Sequence, residues 1–164
     1  MVPARNRFPA SPGCRAMTFP RPEVDIRAPP SAFDPIVDWL EAWSYRLVLL
    51  EEYPLSDVRA ALEVVAKAVR EHRASTEGWL APLRDSDEAT ARIVRVLLSD
   101  HEWFETSLEQ FDWFFRVVER EDHGGHRQAL GQYGRVFAES LRRHRRDERS
   151  LKAQRPPGRE GPVS

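Results

Sequence analysis

One cysteine stands in the whole chain, Cys14, so neither an intrachain disulfide nor a cluster of thiolate metal ligands can be built. Long apolar runs are also missing. A bilayer span needs about eighteen consecutive apolar residues, and the best candidate, around Leu47 to Leu50, is closed by Glu51 and Glu52. No secretory h-region follows the start, which makes a cytoplasmic location the default expectation. Net charge is nearly absent: 25 Lys and Arg against 26 Asp and Glu leave −1. No overall field therefore points to nucleic acid or to an acidic membrane. Strand periodicity of two is not sustained over any length, which argues against a sheet. There is no nucleophile elbow, phosphate-cradling glycine loop or dinucleotide fingerprint, so nothing specifies an enzyme or its substrate.

Proline is abundant but unevenly spread. Seven of the thirteen lie within residues 1–33, where they preclude sustained helix or central strand and predict a disordered tail. Arginines at 5, 7, 15 and 21 precede the first acid, Glu23, as in an organelle transit peptide, but the prolines spoil an amphipathic helix. Met17 is an alternative start. Residues 155–164 (RPPGREGPVS) form a second tail by composition. The remainder, 34–154, has 3.6-residue periodicity throughout.

Four predicted helices fill that span. Asp34 before Pro35 predicts an N-cap with proline at the first helical position, and Ile36, Leu40, Trp43, Leu47 and Leu50 mark one face as far as Tyr53-Pro54. Ser56 predicts the next cap, with a seam of Val58, Leu62, Val65, Val69, His72, Thr76, Trp79 and Leu83, the helix ending near Leu80. After the Asp85-Ser86-Asp87 turn come Val94, Leu97, His101, Phe104, Leu108, Phe111, Phe115 and Val118. Asp122 to Gly125 forms another break, and then Leu130, Gly134, Phe137, Leu141, His144, Glu148 and Leu151 follow. Short links between four amphipathic helices predict an all-α, up-down antiparallel four-helix bundle.

The seam carries unexpected polar residues. His72, His101 and His144 all occupy positions otherwise filled by Leu, Val and Phe; scattered at random over heptad positions, three on a two-in-seven stripe would occur about 2% of the time. Their heights agree as well. His72 lies 13 residues before the turn near 85 and His101 16 after it. His101 lies 22 before the turn near 123 and His144 21 after it. At constant rise, antiparallel packing brings the three imidazoles within about one helical turn, roughly 5 Å. Glu148 follows His144 by one turn, and Glu105, four past His101, stands beside the seam. A buried carboxylate must be compensated. Either a cation fills the cluster, or the histidines and glutamates satisfy one another. Nitrogen and oxygen donors without thiolate suit iron, manganese or zinc.

These residues resemble the hemerythrin-like, or HHE cation-binding, family of four-helix bundles with a non-heme iron site. His144-Arg-Arg-Asp-Glu148 is similar to the family's last-helix motif, His101 to its third-helix ligand with Glu105 where some members carry another, and His72 to its second-helix histidine. The stretches EHRASTEGWLAPL and RHRRDERSLKA also look like the family's counterparts, so the resemblance covers about 35–152. It implies a site of one or two ions held by His72, His101, His144, Glu148 and Glu105, and a small ligand such as dioxygen. Two departures favour one ion over two. The first helix offers Ile36, Leu40 and Trp43 where a histidine is expected, around 36 to 43. Thr76 stands four past His72 where a glutamate is expected, and Glu77 is rotated by about 100°. A metal-free helical scaffold or interaction module of the same descent remains the alternative.

The other polar residues have plainer readings. Glu105 and Glu77 read as surface residues beside their possible inward lean, and His123 and His126 as exposed in a glycine turn. The run Arg142, Arg143, Arg145, Arg146, Arg149 is interrupted by Asp147 and Glu148, so it reads as a solvated helix end with acidic partners on the second and third helices, not as a phosphate surface. Trp113 and Phe114 broaden the aromatic stripe of the third helix beyond one face and leave association with a tail or a further copy open.

Overall fold

The seam residues of each amphipathic segment are too apolar to face water, and the chain buries them against one another as four helices. In a computed structural model the described residues are 32–49, 54–121 and 124–154. Helix α1 spans Phe33–Val48, α2 Leu55–Leu80, α3 Glu88–Arg120 and α4 Gly124–Ala153; a 3₁₀ turn, Ala81–Asp85, links α2 to α3. No strand occurs among the described residues, and the fold is an all-α four-helix bundle. Contacts run in opposite sequence order between neighbours. Asp34 meets Arg149 and Asp38 meets Arg142 between α1 and α4; Arg59 meets Glu119 and Arg70 meets Glu105 between α2 and α3.

Nearly every seam residue within the described range is buried, from Ile36, Leu40, Trp43 and Leu47 on α1 to Leu130, Phe137, Leu141 and Leu151 on α4. The apolar interior is divided. A large core containing Trp39, Trp43, Phe104, Phe111 and Phe137 fills most of the bundle. A smaller one, Leu80, Val94, Leu97 and Leu151, closes the end where α2 turns into α3. Between Val69 and Leu80 on α2, Leu97 and Phe104 on α3, and Leu141 and Leu151 on α4 lies the polar layer of histidines.

Several boundaries differ from expectation. Asp34 does not cap α1: Ala32 is the N-cap, with no side-chain cap bond, and Asp34 lies in the first turn. Its carboxylate is drawn to Arg145, 3.0 Å away, and to Arg149, both cations of α4. Ser56 lies within the first turn of α2, whose N-cap is Pro54. Asp87 caps α3 instead, accepting from the Thr90 N–H at 3.1 Å. His126 belongs to the first turn of α4, not to a loop, and its Nδ1 lies 2.9 Å from the Glu121 carbonyl. The arginine run of α4 finds most of its acids on α1: Arg142 binds Asp38 at 2.7 Å and Glu41 at 2.6 Å. The tail expected over 1–33 and the one over 155–164 lie outside the described residues, save that Ala32 caps α1 and Phe33 opens it.

Helices α1 and α4 approach most closely where α4 has no side chain. A Cβ on Gly131 would stand 2.6 Å from the Ser44 carbonyl oxygen and 2.9 Å from the Val48 nitrogen. Replacing a helical glycine by alanine gains about 1 kcal/mol of propensity. The clash is with backbone, which cannot rotate away, and overpacking of this kind costs about 1–3 kcal/mol or more. The clash wins. Gly131→Ala is expected to lower the midpoint of thermal unfolding by several degrees; a midpoint at or above the parent's would disprove the close approach.

Candidate metal centre

Helical register delivers each polar side chain to one layer. His72 and Thr76 are one turn apart on α2, His144 and Glu148 one turn apart on α4, and His101 faces them from α3. All are buried: His101 is 1% exposed, and His144 and Glu148 are at 0%. The ring centroids of the three imidazoles are 4.7, 5.5 and 5.8 Å apart, so the rings share one layer as the sequence heights predict. One donor atom from each of His72, His101, His144 and Glu148 lies within 4.8 Å of the other three.

Three edges of this cluster are as short as those between neighbouring ligands of a bound ion. His101 Nε2 and His144 Nε2 are 3.1 Å apart. Glu148 Oε1 is 3.3 Å from His72 Nε2 and 3.4 Å from His144 Nε2. Ligands about 2.1 Å from a central ion are separated by about 3.0–3.4 Å in octahedral or tetrahedral arrangements. Without an ion the polar atoms are poorly matched. His72 Nε2 and Glu148 Oε1 are buried and neither takes part in an aligned hydrogen bond. Their 3.3 Å contact is electrostatic. Such orphaned buried groups are uncommon and costly.

The proton distribution follows from the surroundings. Burial pushes His101 down to about 4, helped by the neighbouring His144 and His72 imidazoles, so that ring is neutral. For His144 burial also opposes charge, but the carboxylates of Asp100 and Glu148 outweigh it and the net shift is upward. Burial would raise Glu148, yet His144, His72 and Arg145 together hold its carboxyl well below the ordinary carboxylate range. At 3.1 Å, the His101 and His144 Nε2 atoms are close enough for one ring to donate to the other.

Other side chains close the layer. Arg145 donates to Glu148 Oε2 at 2.6 Å and to Asp34 at 3.0 Å. Phe33 stacks on His72 with centroids 4.3 Å apart, and the Arg145 guanidinium lies 5.6 Å from the Phe33 centroid. Phe33 is thus a residue that α1 sets against the cluster, and it offers no donor. Thr76 gives its hydroxyl proton to the His72 carbonyl at 2.8 Å and stands 3.4 Å from His101 Nε2.

The structure brings together His72, His101, His144 and Glu148; Glu105 is not among them. Its carboxylate turns to Arg70, 3.4 Å away on α2, because a residue beside the seam finds a cation nearer than the interior. Two carboxylates outside the expected set approach the rings from behind. Asp100 Oδ2 is 3.2 Å from His144 Nδ1, and Glu77 Oε1 is 3.6 Å from His101 Nδ1. The signal for Asp100 was its position one residue before a seam histidine. The signal for Glu77 was its three side-chain torsions, which undo a rotation of 100° about the helix. No family model, curated protein or solved structure matches the chain.

Proposed function

We propose that the bundle is a hemerythrin-like metal protein in which His72, His101, His144 and Glu148 hold one non-heme iron ion. The observation that carries this reading is the convergence of three imidazoles and one carboxylate in a buried layer, with His72 Nε2 and Glu148 Oε1 unbonded. An N₃O donor set without thiolate suits iron, manganese or zinc. Four protein donors suit one ion better than two, since Phe33 and Thr76 add neither an imidazole nor a carboxylate. When bound, iron would supply a coordination position for a small ligand such as dioxygen. The chain's own part is to exclude water with its two apolar cores and to balance the carboxylate charge through Arg145.

A second reading has a specific observation behind it. Arg145, at 2.6 Å, and the His72 and His144 rings already surround Glu148, so the layer can persist without a metal in a helical scaffold or interaction module. Metal analysis of full-length protein, purified aerobically without a histidine tag, separates the two. Near-stoichiometric iron, one ion per chain, is expected. Metal-free protein that melts identically with and without added iron would establish the scaffold instead.

A further inference from the structure

We infer that Asp100 is the positioning residue of the cluster: its carboxylate accepts a hydrogen bond from the Nδ1–H of His144 and so turns that ring's Nε2 lone pair toward His72, His101 and Glu148. Asp100 precedes His101 on α3, rotated away from the seam, and its side chain lies between α3 and α4 with 15% exposure. Oδ2 is 3.2 Å from His144 Nδ1. Its other cation is Arg143, 3.9 Å away and 60% exposed, a separation at which an exposed pair contributes little.

A neutral imidazole has one N–H and one lone pair, and which nitrogen carries the proton is decided by what the other faces. An ionised carboxylate can only accept, so Asp100 fixes the proton on Nδ1 and frees Nε2 as a donor to a cation. His101 is held differently. Its Nδ1 faces Glu77 at 3.6 Å and makes no hydrogen bond. Of these two rings, His144 is therefore the one whose Nδ1 has a bonded partner, and it is also the ring in contact with both His101 and Glu148.

The role in cation binding rests on the metal reading above; the tautomer assignment does not. Two measurements keep them apart. Long-range ¹⁵N–¹H correlation spectra of the metal-free protein, at a pH high enough to leave His144 neutral, should show Nδ1–H in the parent. Asp100→Asn should shift that ring toward Nε2–H, Asp100→Glu should retain Nδ1–H, and Arg143→Ala should change nothing. The same spectrum for Asp100→Asn and parent would overturn the inference, provided the variant's melting curve shows it folded. Titration of parent and variants with Co²⁺ then reads the consequence: removing such a supporting partner weakens binding about 10–100-fold, and Asp100→Glu should recover part of the loss. Equal Co²⁺ affinity in parent and Asp100→Asn would refute the positioning role. A parent that binds no Co²⁺ would instead defeat the metal reading, with the tautomer still decided by the spectra.

Discussion

His101→Ala is expected to lose the cation and keep the bundle. Four-ligand zinc sites hold their ion with about 10–16 kcal/mol, roughly 3 kcal/mol per ligand, so removing one imidazole should weaken binding by at least about 100-fold. The ring is 1% exposed, and its removal leaves a cavity whose cost is about 2–4 kcal/mol. Thermal melts with and without added Fe²⁺, prepared anaerobically, make the comparison. An ion at about 100 times its dissociation constant stabilises the parent by about 2.7 kcal/mol, and the variant at the same concentration should gain little. Glu105→Ala is the control: that carboxylate faces Arg70, so its removal should leave metal content unchanged. Equal metal binding by parent and His101→Ala would sink the proposed ligand set.

Glu148→Gln should be the most damaging conservative change in the metal-free protein. The carboxylate is fully buried and compensates Arg145 at 2.6 Å together with the His72 and His144 rings. Removing one member of a buried ion pair costs about 3–5 kcal/mol, because it strands its partners. Arg145 is 21% exposed and keeps Asp34, so about 2–3 kcal/mol is the better expectation near neutral pH. The pH dependence has a definite sign. Glu148 is held below its ordinary value of 4.5, so its contribution is fully present above 4.5 and is lost as pH falls through the folded value. The gap between parent and Glu148→Gln should therefore narrow in acid, as the parent's own carboxyl takes up a proton. Urea unfolding at several pH values measures it; a gap that is constant or widens below pH 4.5 would show that the charge is not what Glu148 supplies.

Helix number, the seam and the common level of His72, His101 and His144 were legible because helical rise and rotation per residue are constant. A seam position therefore predicts both facing and height. Residues that flank a seam are a different matter. Glu77, Asp100 and Glu105 each stand about one residue off it, and long side chains there choose among neighbours that only the packed bundle supplies. Arg70 captured Glu105, Arg73 holds Glu77 beside His101, and His144 drew Asp100. Caps failed for the same reason. Asp34 and Ser56 had the right chemistry for capping, yet Asp34 found two arginines of α4, a tertiary partnership with no local signature.

Phe33 covers His72 from the first turn of α1, a turn whose N-cap Ala32 offers no side-chain hydrogen bond. Helix ends are the least protected part of a bundle, and opening one turn costs far less than unfolding the whole. The ion pairs of Asp34 with Arg145 and Arg149 are then what oppose fraying there. Any opening of that helix start would lift Phe33 off His72, so the two-arginine clasp on Asp34 also guards the cover of the histidine layer.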